Sequence, residues 1–264
     1  LNNVFLSYDQ AELDRQYEQR TFVPHADQII QRYAARSDEV RARIGEPETL
    51  AYGPTPVETL DVYGARRGTV VAFVHGGAWK RMGKRANAYA AETFIDAGAT
   101  YVAVGFGLLP AITLPEMAAQ VCRALEYVHR ELRPKRLVLI GHSSGAHLSA
   151  HALTRVHSIH EAMVVSGVYD LLPVRLSARN EYVRLDERLE HEYSPIRHAE
   201  RIRCPVTVAW AEHEGAEFTR QSREFAEKLR APTVVGTGLN HFEIIETLTD
   251  RASPLARAAL NMLQ

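Results

Sequence analysis

Serine, histidine, carboxylate and glycine residues recur in this chain at spacings that suit covalent acyl transfer. Gly141-His142-Ser143-Ser144-Gly145 follows the apolar run Arg136-Leu137-Val138-Leu139-Ile140 and opens into the small-residue stretch Ala146-His147-Leu148-Ser149-Ala150. The pattern predicts a strand, a sharp elbow and a helix. A G-x-S-x-G sequence in that setting presents the serine hydroxyl at the end of a sheet, because glycine lets the strands and the helix approach closely around the turn. Ser143 is therefore read as a nucleophile towards acyl carbons. The competing interpretation is a serine in an ordinary turn, and the flanking strand and helix weigh against it.

Such a nucleophile needs donors for the oxygen that becomes negative, a base, and an acid that orients the base. The run Thr69-Val70-Val71-Ala72-Phe73-Val74 reads as a buried strand and delivers the chain into His75-Gly76-Gly77-Ala78-Trp79. The amides of Gly76, Gly77 and Ser144 are the oxyanion-hole candidates; the plainer alternative is a turn that needs glycine for its backbone angles. In this chain order the acid precedes the histidine. Pro205-Val206-Thr207-Val208-Ala209-Trp210 runs into Ala211-Glu212-His213-Glu214-Gly215, which makes Glu214 the preferred acid, with Glu212 competing and Asp170 more distant. Pro232-Thr233-Val234-Val235-Gly236 leads through Thr237-Gly238-Leu239-Asn240 to His241, the preferred base, just before a helical pattern from Phe242 to Leu248. His213 is a rival base whose place before the acid argues against it.

The elements that must position these residues alternate. After Glu58-Thr59-Leu60-Asp61-Val62-Tyr63, strands alternate with helices at Ala86 to Ala97, Leu114 to Leu132 and Gly145 to Val156, which implies an α/β fold with a mainly parallel sheet and helices on both faces. The polar, helix-like stretch from Asp9 to Arg43 packs on that body in this reading. Residues 169–198 break the rhythm and read as a short helical cap. The whole chain is read as one domain. Trp79, Met82 and Phe106 follow strand ends and are the expected substrate contacts, since ligands of open α/β sheets bind at carboxyl ends. Trp210 is assigned to the core.

His75-Gly76-Gly77-Ala78-Trp79, the elbow from Gly141 to Ala146 and Asn240-His241-Phe242 resemble the α/β-hydrolase superfamily, in particular its arylformamidase-like (kynurenine formamidase-like) esterase branch. Leu114-Pro115-Glu116-Met117, Ser166-Gly167-Val168-Tyr169-Asp170-Leu171 and Glu217-Phe218-Thr219-Arg220-Gln221-Ser222 are similar to words of that branch, and the resemblance runs from about Tyr52 to the C-terminus. It implies a nucleophile at Ser143, an acid at Glu214, a base at His241 and no metal. Tyr17 and Arg20 resemble a further word near the N-terminus, with packing as the favoured role. Two departures bear on chemistry. Glutamate stands at 214 where the branch usually has aspartate, a change this fold accommodates. Gly105-Phe106-Gly107-Leu108-Leu109-Pro110 replaces an asparagine-tyrosine-arginine-leucine-alanine-proline word, so an apolar wall is expected there and the substrate is expected to differ from N-formylkynurenine.

Composition bounds the rest. With 264 residues and 46% hydrophobic content, the chain can bury a large sheet core. A net charge of −1 gives no bulk attraction to nucleic acid or anionic membrane, and no apolar run approaches a bilayer-spanning length. Cys122 and Cys204 are too few and too far apart for a disulfide framework, and no leader pattern occupies Leu1 to Gln10, so a cytoplasmic location is expected by default. His147 and His151 stand one helical turn apart but lack a third ligand and the His-Glu-x-x-His word, so no metal or other cofactor is expected. The expected activity is a serine hydrolase that cleaves a carboxylic ester or amide of aryl formamide or aryl ester type. Its partner is a small, largely apolar or aromatic substrate, and homo-oligomerisation is left open. The alternatives are a carboxylesterase or carbamate hydrolase without amidase activity, carbon–carbon cleavage or perhydrolysis on the same triad, and a non-catalytic binding protein on the same scaffold.

Overall fold

A computed structural model describes residues 3–264. Eight strands form one sheet: β1 Glu48–Ala51, β2 Thr59–Tyr63, β3 Thr69–Val74, β4 Thr100–Val104, β5 Arg136–His142, β6 Glu161–Val165, β7 Val206–His213 and β8 Thr233–Asn240. Their order across the sheet is β1-β2-β4-β3-β5-β6-β7-β8. The pairs β1–β2 and β2–β4 are antiparallel and every other pair is parallel.

The central strands are buried apolar runs because helices cover both faces. Val70, Ala72, Val74, Leu137 and Leu139 point into one core, while Val71, Phe73, Val138, Ile140 and Met163 point into the other. That alternation is the two-residue period of a strand read onto two separate helical layers.

The chain turns to opposite sides of the sheet after β3 and after β5, which leaves a crevice at the carboxyl ends of these neighbours. Strand register aligns the residues just past those ends. Val74 pairs with Gly141, His142 with Val165, Val165 with Ala209, and His213 with Asn240. His75, Ser143, Ser166, Glu214 and His241 therefore emerge along one edge.

Several elements differ from the sequence expectation. Lys84–Asn87 is a 3-10 turn and Ala91–Asp96 a short helix where one helix was expected. Strand β1, Glu-Thr-Leu-Ala, has a single β-branched residue and no alternation, so it had no legible signal. The stretch from Asp9 to Arg43 forms helices Gln10–Gln16 and Ala26–Ile44 with a 3-10 turn, Gln19–Thr21, between them. The cap consists of Leu172–Leu176, Asn180–Val183 and Glu187–Tyr193, followed by the 3-10 segment Pro195–Arg201. No helix among the described residues is long and apolar enough to cross a membrane.

Candidate active site

Ser143 sits between β5 and helix Ser144–Leu153 at φ 55°, ψ −125°, a conformation that L-residues rarely adopt. Every residue of the helix is buried, and its small side chains let it press on the sheet. Gly145 shows why: a Cβ there would collide with the carbonyl oxygens of Val74 and His75 at the end of β3. The strained elbow is thus over-determined by packing on both sides, and it directs the Ser143 side chain out of the sheet edge.

The loop after β3 supplies donors. Among the described residues, the amides of Gly76, Gly77 and Ala78 donate to no protein acceptor. Gly77 adopts φ 118°, and a side chain there would strike the Arg81 carbonyl, so glycine is required by both angle and space. The Ser144 amide opens a helix, where first-turn N–H groups lack internal partners and the dipole favours negative charge. Gly77 and Ala78 border the open cleft, whereas Gly76 and Ser144 do not line it. The loop is pinned at Trp79, whose amide donates to Ser144 Oγ at 3.1 Å and whose indole donates to His147 at 3.1 Å.

The expected base and acid meet the serine. His241 Nε2 lies 2.9 Å from Ser143 Oγ, and its Nδ1 lies 2.9 Å from Glu214 Oε2. The Glu214 side chain is fully buried and His241 is 3% exposed. Burial raises the Glu214 carboxyl and lowers the His241 imidazole, and Arg179 lowers His241 further. The Ser166 hydroxyl and the Ala211 backbone work the other way on Glu214. The edges of the Phe218 and Phe242 rings close over His241 at 5.0 and 5.1 Å between centroids.

The rival residues lie elsewhere. Glu212 is half exposed and accepts the Gly238 amide at 2.7 Å, while His213 is exposed beside it. A register shift between Ala211 and His213 sends Glu212 outward and lets β7 continue to His213, so that Glu214 turns inward at the strand's end. Asp170 caps Leu172 and pairs with Arg197. His75 and His142, pushed down to about 4 and about 3 by burial, are held neutral; His75 Nδ1 bonds the Gly76 carbonyl and His142 Nε2 the His241 carbonyl.

Ser143, His142 and His241 open into a cleft of about 750 Å³. Met82 lines it as expected, whereas Trp79 and Phe106 do not. Trp79 is turned inward onto His147, and Phe106 stacks on His75 at 4.4 Å, beneath the donor loop. The apolar 105–110 stretch therefore supports that loop from the core side and forms no substrate wall. The walls come from the N-terminal segment, which the sequence reading assigned to packing, and from the cap. Tyr17, Arg20, Ile30 and Tyr33 of the N-terminal segment face the cleft, and so do Arg179 and Tyr182 of the cap. Gln19 and Gln16 accept the amides of Gly215 and Glu217, tying that segment to the turn that carries Glu214. Its resemblance word at Tyr17 and Arg20 was the one signal available. A smaller recess of about 270 Å³, lined by Arg36, Tyr89, Asp96 and Arg251, contains none of these groups. Among the described residues no cluster of three or more His, Cys, Asp or Glu has metal-binding geometry.

Comparison with known proteins points the same way. A family model described as BD-FAE matches residues 60–166, from β2 through the donor loop and elbow to the end of β6. A kynurenine formamidase of Danio rerio is 31% identical over 97% of this chain and 97% of its own length. That of Salmo salar is 31% identical over 96% of each. A solved structure of a candidate thioesterase from Silicibacter sp. TM1040 superimposes with a TM-score of 0.87 at 26% identity, covering 93% of this chain and 98% of its own.

Proposed function

Because the chain belongs to the kynurenine formamidase family of α/β-hydrolases, and is thus a hydrolase of esters or amides, we propose that it is a serine hydrolase acting through an acyl-enzyme on aryl formamides and aryl esters. The observation that supports this reading is the relay in which Ser143 Oγ, His241 and Glu214 are joined by two contacts of 2.9 Å beside unpartnered amides of the donor loop.

In the first half of the reaction Ser143 Oγ bonds to the substrate carbonyl carbon while its proton passes to His241 Nε2. Glu214 holds the imidazole in the required tautomer and stabilises its positive charge. The carbonyl oxygen becomes an oxyanion, met by the amides of Gly76, Gly77 and Ser144, with Ala78 added to the set by its place on the cleft. The C–N or C–O bond then breaks and Nε2 returns its proton to the departing amine or alcohol. In the second half water attacks the acyl-serine, His241 takes the water proton, and Oγ leaves with it. The partner is a small molecule, and the chain's own residues supply every group in this sequence.

The test is a matched panel of aryl acetates, formamides and carbamates on one ring, with a serine-directed phosphonate as label. Turnover of formamides at rates near those of acetates, abolished in Ser143→Ala together with labelling, is the expected result. Ester turnover alone reduces the reading to a carboxylesterase, and undiminished turnover in Ser143→Ala overturns it.

A further inference from the structure

Arg179 is one of the cations that line the cleft with the catalytic histidine, and its setting is unusual for a cap arginine. Arg175 and Arg197, its neighbours in the cap, both pair with Glu190. Arg20, also on the cleft, pairs with Asp27 at 2.7 Å. Arg179 pairs with no carboxylate among the described residues. Its guanidinium donates to the Tyr17 carbonyl and lies 5.6 and 5.7 Å from the ring centroids of Tyr17 and Trp79. Aromatic faces and a carbonyl hold the group in place and leave its charge uncompensated.

We propose that Arg179 is a specificity-determining residue of this cleft: its guanidinium, on the same cleft as Ser143 and without a carboxylate partner among the described residues, receives an anionic group on the substrate. The inference rests on the roles given above to Ser143 and His241.

His241 gains a proton in the transition state, and a nearby positive charge opposes that gain. The charged and titratable groups around the imidazole are Glu214 on one side, the neutral His142 below, and Arg179 across the cleft. Lys80 and Arg81 add positive charge to the same wall; Glu18 and Glu181 act on Lys80, which lies over the Tyr182 ring. Asp14 is engaged with the Ala178 amide. A neutral substrate leaves the repulsion in place. An anionic substrate cancels it at the moment of binding, so the selection acts on kcat as well as KM.

The experiment compares two aryl acetates that carry, on the same methylene arm, either a sulfonate or the neutral sulfonamide. The sulfonate stays ionised through the acid limb. With the native chain, kcat/KM at neutral pH is expected to favour the sulfonate by about tenfold or more, the scale of one charge-assisted contact. The acid limb of kcat, which belongs to the Glu214–His241 pair, should lie at higher pH with the sulfonate than with the sulfonamide, because the bound anion offsets Arg179. In Arg179→Gln the preference should collapse to within about twofold and the two kcat limbs should coincide. Arg179→Lys, which keeps the charge, should retain part of the preference. Equal kcat/KM for the two esters in the native chain overturns the proposal, as does a preference that survives Arg179→Gln. A variant that loses both activities alike, with unchanged limbs, reduces Arg179 to a tie on the Tyr17 carbonyl and also overturns it. Failure of Ser143-dependent turnover of both esters is a separate result, which fells the hydrolase reading and this inference with it.

Discussion

His147 accepts the indole N–H of Trp79 on Nδ1 at 3.1 Å and donates its own Nε2–H to the Tyr193 carbonyl at 2.8 Å. One neutral tautomer satisfies both bonds, so a single buried ring links the donor loop, the elbow helix and the end of the cap. Trp79→Phe keeps the apolar body but leaves His147 Nδ1 buried without a donor, at a cost of about 1–3 kcal/mol. The loop then loses one of its anchors at Trp79, where the bond to Ser144 Oγ and the Leu109 amide on the Trp79 carbonyl remain. We expect a lower melting temperature and a fall in kcat of about tenfold, with KM little changed, since the loop's amides act on the transition state.

The same geometry makes stability depend on pH. Burial lowers His75 and His147 from 6.5 to about 4 and His142 to about 3. The unfolded chain therefore binds more protons than the folded one below pH 6.5. Stability from these rings is complete above that value and is lost as the pH falls towards about 4. A shift of this size in His147 is worth on the order of 3 kcal/mol. Thermal melts from pH 7.5 down to 4.5 should show a falling midpoint, with a shallower fall in His147→Gln. A flat profile in the native chain would contradict the neutral, buried assignment.

Glu214 and Glu212 are two residues apart and separate by function. Glu214→Gln keeps the shape but replaces the charge that stabilises the imidazolium, and we expect kcat to drop by about 10³-fold or more. Glu214→Asp draws the carboxylate back by one methylene and should retain part of the rate. Glu212→Gln disturbs an exposed bond to the Gly238 amide and should leave kcat within about twofold of native. Comparable losses at 212 and 214 would show that the bulge in β7 does not sort them.

How far the site was legible in the sequence depends on where its parts lie along the chain. Ser143, Gly77 and Glu214 follow strands with long buried apolar runs and His241 follows the short Val234-Val235 run of β8, so motif and chain order point to the same edge. The direction of Phe106 was not legible, because the loop after β4 ends the alternation that would have set its facing and the ring turns onto His75. The cleft walls were hidden for a different reason. Tyr17, Ile30 and Tyr33 lie more than a hundred residues from Ser143, and their helices carry an ordinary mixed pattern that reads as surface packing. Long-range placement, such as the bonds from Gln16 and Gln19 to the turn after Glu214, is a property of the folded chain that no local pattern encodes.

Two glycines near the donor loop provide an internal comparison. At Gly77 an added methyl meets the Arg81 carbonyl and the backbone is at φ 118°, whereas Gly83 has open space around its Cβ position and an extended φ of −173°. Gly77→Ala must shift the amides of the loop and should lower kcat by about a hundredfold, the usual scale for a lost oxyanion donor. Gly83→Ala should be within about twofold of native. Circular dichroism melts separate a displaced loop from an unfolded chain, and equal effects at the two positions would contradict the assignment of the donors.

The N-terminal segment should control what size of substrate reaches Ser143. Helix Ala26–Ile44 presents Ile30 and Ala34 to the cleft, and it is anchored there by the Tyr33 hydroxyl, which donates to the Phe242 carbonyl next to His241. Ala34 is exposed, so a larger side chain at that position projects into the cleft without disturbing the core. Ala34→Trp should therefore reduce kcat/KM for naphthyl acetate by about tenfold or more while phenyl acetate changes by less than about threefold, the difference of a filled subsite. Its melting temperature should match that of the native chain, because the substitution touches no buried contact. Equal losses on both esters would mean that the helix positions His241 through Phe242 and sets no size limit, and Tyr33→Phe, which removes only the hydroxyl, would then reproduce the same loss.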